Sequence, residues 1–110
     1  MKRGDYFEHE LPGGVVRMVE SVCGDYYRRA QAIKTGTAVG AVLDEYLRLN
    51  IAVETALEEI ETGIRAEMLR DVALGRGYNR SCISVFMAKN TYYQRRRKLM
   101  YDIAKELNLV

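Results

Sequence analysis

The chain has 110 residues, 17 Lys+Arg against 15 Asp+Glu, and a formal net charge of +2. That length suits one domain, or one compact domain with a helical extension, and is too short for a large substrate cleft between domains. With 48% hydrophobic and 29% charged residues it has the balance of an ordinary soluble globular protein. No apolar run approaches the roughly 18 to 20 residues of a membrane span, and polar residues follow Met1-Lys2-Arg3, so no secretory leader is expected and a cytoplasmic location is. There is one Pro, at position 12, and turn clusters do not recur, which argues against an all-β sandwich.

Residues 1–14 are polar and end in Pro12-Gly13-Gly14, the pattern of a flexible arm and turn. Val15, Val19, Val22, Tyr26, Ala30 and Ile33, with Val16, Cys23 and Tyr27 beside them, place one apolar face on a helix over 15–34, weakened at Gly24. Gly36 is suited to end it and Thr37 to cap the next. Over 39–64, Val39, Leu43, Tyr46, Asn50, Val53, Leu57, Ile60 and Ile64 alternate four- and three-residue steps, a heptad seam on a long central helix. An Asn at such a seam fixes register by bonding its twin, which would make a homodimer through Val39 to Ile64. Leu47, Leu49 and Ile51 widen the apolar surface, which equally fits a long helix packed inside its own subunit. Residues 15–63 are thus one helical, oligomerising or self-packed region.

Ile64, Met68, Leu69 and Val72 carry a further short stripe after a break at Thr62-Gly63. Gly75-Arg76-Gly77-Tyr78-Asn79 is a loop, with Asn79 or Ser81 as a cap. Residues 80–87 predict a short helix with Cys82, Ile83, Phe86 and Met87 inward. Ala88-Lys89-Asn90 predicts a tight turn. Thr91-Tyr92-Tyr93-Gln94 has the form of a capping box opening a helix of about 15 residues that reaches Leu107. Its inward face is Leu99, Met100, Ile103, Ala104 and Leu107, with Tyr92, Tyr93 and Arg96 near it. The expected fold class is therefore all-α: a helical bundle with a long central helix and, over 64–110, a C-terminal helix-turn-helix.

Charge divides unevenly along this framework. Residues 1–75 hold 9 basic and 13 acidic side chains, a net of −4, whereas residues 76–110 hold 8 basic and 2 acidic, a net of +6. An acidic body joined to a basic helical third is a footprint of nucleic-acid binding, the alternative being a solvated basic face. Cys23 and Cys82 read as two reduced core residues. Without Cys-x-x-Cys spacing, they and His9 predict neither a metal site nor Cys–His catalysis. There is no Gly-rich phosphate loop and no Ser/His/Asp set, and Glu58, Glu59 and Glu61 read as a solvated helix face. No enzyme activity and no cofactor is expected.

The string Thr91-Tyr92-Tyr93-Gln94-Arg95-Arg96-Arg97-Lys98-Leu99, followed by Ile103-Ala104-Lys105-Glu106-Leu107, resembles the C-terminal half of the ArpU/RinA-like phage transcriptional regulators. Their helix-turn-helix looks like sigma factor region 4. The likeness covers roughly 35 residues by the motif spacing. Ala88 departs from it, standing where the family's turn usually offers a Ser, which leaves capping to Asn90 or Thr91. The segment Arg80-Ser81-Cys82-Ile83-Ser84 also lacks the family's usual Ile-Ala pair. The resemblance implies a phage or prophage activator of late or lysis genes, with double-stranded DNA and RNA polymerase as partners.

On a DNA-reading helix, the face opposite the core would carry Thr91, Gln94, Arg95 and Lys98, with Lys89 and Asn90 approaching the groove first. Gln bonds adenine and Arg guanine bidentately in the major groove. Arg76, Arg80 and Arg97 would clamp phosphates, and Arg96 would snorkel to one. Two further readings compete: a small all-α adaptor whose basic helix binds an acidic protein, and a terminase small-subunit-like protein.

Overall fold

The computed structural model describes residues 10–110; His9 and most of the arm expected over 1–14 lie outside the described residues. Among the described residues five helices follow in order: α1 (Gly13–Gly24), α2 (Tyr26–Thr35), α3 (Gly40–Leu57), α4 (Arg65–Leu74) and α5 (Lys89–Glu106). Short 3-10 turns lie at Thr62–Ile64, Tyr78–Arg80 and Cys82–Val85. The chain is all-α, with no strand among the described residues. No helix in that range is long and apolar enough to cross a membrane.

Gly13 and Gly14 are not a turn but the first residues of α1. Pro12 stands before them, and its carbonyl accepts the Val16 N–H at 3.0 Å. Pro lacks the N–H that a helix start leaves orphaned and pre-sets the entry φ, which allows the helix to begin on two glycines. The single helix expected over 15–34 is two, broken at Asp25. Gly24 has low helix propensity, and the Asp25 carboxylate turns aside to accept from Arg28 at 3.1 Å.

The bend is fixed from within. Arg29, on α2, is 3% exposed. Its guanidinium donates to the Val22 carbonyl in the last turns of α1 at 2.5 Å and to Asn50 Oδ1 on α3 at 2.6 Å. Asn50 Nδ2 donates in turn to the Tyr26 carbonyl at 3.2 Å. Asn50 therefore bonds a neighbouring helix of its own chain, not a twin across a heptad seam. Around Asn50, α3 packs inside its own subunit.

Gly36 ends α2 in the left-handed conformation at φ 76°, as expected, and Gly75 ends α4 likewise at φ 67°. Thr37 does not cap α3; Val39 occupies that position without a side-chain bond. The long helix expected to reach Thr62-Gly63 stops at Leu57. Glu58, Glu59 and Glu61 crowd the negative end of the helix dipole, where carboxylates are unfavourable. Arg65 compensates there, donating to the carbonyls of Ile60 at 2.7 Å and Glu58 at 3.1 Å.

The core is shared by α1, α3, α4 and α5. Val19 and Cys23 from α1, Val53 from α3, Met68, Leu69 and Val72 from α4, and Leu99 and Ile103 from α5 are all at most 2% exposed. Ile60, beyond the end of α3, and Ile83, in the last 3-10 turn, close its edges. The α2–α3 hairpin extends from this core, and the molecule measures 48 × 29 × 21 Å. Toward the hairpin's tip Val39 and Val42 are exposed.

Candidate nucleic-acid interface

α5 is 18 residues long and contains neither Gly nor Pro. The inward stripe is the one its periodicity predicts: Leu99, Met100, Ile103 and Ala104, with Leu107 just beyond. Tyr92 joins it at 0% exposure. Its hydroxyl lies inside the fold, donating to Asp71 Oδ2 at 2.9 Å. Burial first, and then this hydrogen bond to Asp71, push the phenol up to about 12.

Asp71 organises the ground beneath α5. It is 0% exposed and also holds Arg76, whose guanidinium lies 3.1 Å from Oδ1. Glu67 approaches the same guanidinium at 3.6 Å. Arg96 donates to the Tyr92 hydroxyl at 2.8 Å and to the Arg76 carbonyl. Two predicted phosphate ligands are thus engaged in holding the loop after α4 to α5. Arg76 pairs with buried and half-buried carboxylates, and Arg96 turns back onto the loop instead of reaching outward.

The segment expected to be a short helix over 80–87 holds a 3-10 turn at Cys82–Val85, just after another at Tyr78–Arg80. Side chains bond the backbone here in place of a helical ladder. Ser81 Oγ accepts the Ile83 N–H at 3.1 Å, so Ser81 does cap, and Ser84 Oγ donates to the Ser81 carbonyl at 2.9 Å. The Tyr78 hydroxyl reaches the carbonyls of Met87 at 2.7 Å and Ser84 at 3.1 Å. Ile83 is buried, but Cys82 and Phe86, expected to be inward, are exposed. Cys23 is the core cysteine, its thiol pushed up to about 12 by burial.

The tight turn expected at Ala88-Lys89-Asn90 belongs to α5 instead. Ala88 is the residue before the helix, and no side chain caps it, so the Thr91–Gln94 capping box does not form and neither Asn90 nor Thr91 substitutes. Lys89 and Asn90 are exposed in the first turn, Thr91 is half-buried and Gln94 is exposed. Arg80 is exposed in the first of the 3-10 turns and Arg97 is half-buried.

The predicted outer face is divided. Arg95 leans toward the α3–α4 turn and donates through Nε to both oxygens of Glu61, at 3.0 and 3.1 Å. That hydrogen bond holds the Glu61 carboxyl below its ordinary range and raises the Arg95 guanidinium. Lys98 pairs with Asp102 one turn on at 2.9 Å. Arg95 and Lys98 line a depression of about 460 Å³ together with Arg65, Glu58, Glu59 and Glu61. All three glutamates are exposed, as a solvated face requires, and Glu61 in addition pairs with the basic helix. At 100° per residue, Asn90, Gln94, Arg97, Tyr101 and Lys105 fall within an arc of about 80°, away from both the core and those glutamates. Sequence reasoning did not include Tyr101 and Lys105, although their spacing from Gln94 and Arg97 was available to it.

No three His, Cys, Asp or Glu side chains group as a metal site among the described residues. Compared with known proteins, the chain matches no family model, no curated protein and no solved structure.

Proposed function

We propose that the chain is a sequence-specific DNA-binding transcriptional regulator that lays the outward face of α5 in the major groove of duplex DNA. One observation carries this reading. From 72 to 101 the chain has no acidic residue, and the first turns of α5, which begin in that stretch, expose Lys89, Asn90 and Gln94. A polyanion approaching this end meets no carboxylate from the segment itself. The helix start also has no side-chain cap and no acidic residue in its first turn, leaving its first N–H groups available to a phosphate or water.

The roles follow from position. Asn90 and Gln94 are suited to adenine, each offering a donor and an acceptor. Lys89 and Arg80, exposed at the helix start and the preceding turn, are suited to phosphates. Arg97 and Lys98 flank the reading line. Arg95 reads a base only where the Glu61 pair opens. The phage activator role and RNA polymerase as partner rest on the resemblance to the ArpU/RinA-like regulators alone. A second copy of the chain is proposed as a further partner. Exposed Leu47 and Ile51, one turn apart on α3, supply its apolar surface, without Asn50.

The test is selection of bound sequences from random duplex DNA, followed by anisotropy titrations across salt. Affinity should fall steeply with salt as condensed counterions are released. Asn90→Ala and Gln94→Ala should each cost about 1 to 3 kcal/mol on the selected site and relax its sequence. Absence of salt-dependent duplex binding overturns the proposal and favours an adaptor whose basic helix meets an acidic protein.

A further inference from the structure

Val85 and Phe86 are 78% and 77% exposed, the two highest values among the described large apolar residues. They sit side by side on a segment that is otherwise firmly built. Ile83, two residues earlier, is 1% exposed in the core. The Phe86 N–H bonds the Ile83 carbonyl at 2.8 Å. The carbonyls on either side of the pair, Ser84 and Met87, both meet the Tyr78 hydroxyl.

That tyrosine is itself tied to α5. Its ring packs edge-on against Tyr92 at 5.5 Å between centroids, and its N–H donates to the Tyr93 hydroxyl at 3.2 Å. The two apolar side chains are therefore held at a set position relative to the first turns of α5, only two residues before the helix begins after Ala88. Loose exposed apolar residues are unremarkable. A rigidly presented pair next to a reading helix, flanked by Arg80 and Lys89 and by no carboxylate of its own segment, calls for a partner that is both anionic and apolar in patches.

We infer that Val85 and Phe86 contact thymine 5-methyl groups in the major groove, adding a thymine preference beside the bases read by Asn90 and Gln94. This inference rests on the DNA-binding reading above. The thymine methyl is the apolar feature that the major groove displays, and Phe is among the side chains suited to it. Prior ordering of the loop by Tyr78 removes the entropy loss that a mobile loop would incur on contact.

The experiment uses the full chain and the site selected from random DNA. Each thymine within three base pairs of the Gln94-dependent position is replaced by deoxyuridine, which removes only the methyl. One buried methyl is worth about fourfold in affinity. Wild type should lose that factor at one or two positions, and Phe86→Ala should lose nothing further on the same uracil duplexes. Val85→Ala serves as the second variant; both sites are exposed, so both variants should fold. If uracil weakens wild type and Phe86→Ala equally, or neither, while specific binding persists, the inference falls and the DNA-binding reading stands. Wild-type affinity of Phe86→Ala for the thymine duplex also overturns it. If no duplex is bound in a salt-dependent way, both readings fall together.

Discussion

Asn50→Leu separates a seam from an internal clamp. In a coiled-coil seam, Leu in place of a buried Asn strengthens association and raises stability. Here Asn50 is 4% exposed and bonds the Arg29 guanidinium at 2.6 Å and the Tyr26 carbonyl at 3.2 Å. Leu would leave a buried cation with the Val22 carbonyl as its sole acceptor among these bonds. Leaving a buried guanidinium without one of its acceptors costs about 3 kcal/mol, at the upper end for a buried hydrogen-bonding group because the donor is charged. Burial of the leucine returns about 1 to 2 kcal/mol. The expected net loss is about 2 kcal/mol, roughly an 8 °C fall in Tm for a domain of this size. Urea and thermal unfolding followed by circular dichroism, at low and high protein concentration, would measure it. The double variant Arg29→Met/Asn50→Leu removes both polar partners and should recover part of the loss. A variant Asn50→Leu as stable as wild type, with a concentration-dependent Tm, would refute the clamp.

Three further outcomes follow from the ion pairs and tyrosines. Arg76→Ala should cost about 2 to 4 kcal/mol of stability in denaturant unfolding, because Asp71 at 0% exposure keeps only the Tyr92 hydroxyl; a neutral result would return Arg76 to the role of a surface phosphate clamp. Glu61→Gln should release Arg95 and strengthen duplex binding a few-fold at low salt, roughly the worth of an exposed pair, with a steeper salt slope; unchanged affinity and slope would mean that the pair does not screen the helix. The neutral phenol of Tyr92 is favoured in the folded state, with its pKa raised from 10.0 to about 12. Its contribution is complete below pH 10 and is lost as pH rises through 12, so stability should decline across that window. Tyr92→Phe should flatten the slope by about one proton, about 1.4 kcal/mol per pH unit; an identical slope in the variant would show that Tyr92 is not responsible.

Apolar periodicity made the bundle legible. The inward face of α5 and the short stripe of α4 are where the spacing of Leu99, Ile103, Met68 and Val72 puts them, since a buried stripe must repeat near 3.6 residues. Gly36 and Gly75 were legible because a helix end favours a residue that tolerates positive φ. What escaped was polar and non-local. Arg29 and Asn50 are 21 residues apart, and nothing in the spacing of apolar residues indicates that an arginine is buried. Asp71 and Tyr92 escaped for the same reason, so Arg76 and Arg96 read as surface cations. The segment over 80–87 has enough apolar residues for a helix, but Ser81, Ser84 and Tyr78 offer its backbone competing bonds. Phe86 was placed inward because apolar type was read as burial, a rule that fails in a loop fixed by its own hydrogen bonds.

The Arg29–Asn50 clamp also divides the molecule by cooperativity. Beyond it, toward Gly36, Ala38 is the buried apolar residue on the hairpin, while Val39 and Val42 face water. Opening that outer portion uncovers little, whereas opening the bundle of α1, α3, α4 and α5 uncovers Met68, Leu69, Tyr92 and Ile103 together. Amide protons near the hairpin tip should therefore exchange through small local fluctuations, and those of α4 and α5 through full unfolding. The hairpin's outer turns act as an appendage whose length is a variable independent of the core. Insertions or deletions of whole turns there would alter reach without disturbing the platform that carries Asn90 and Gln94.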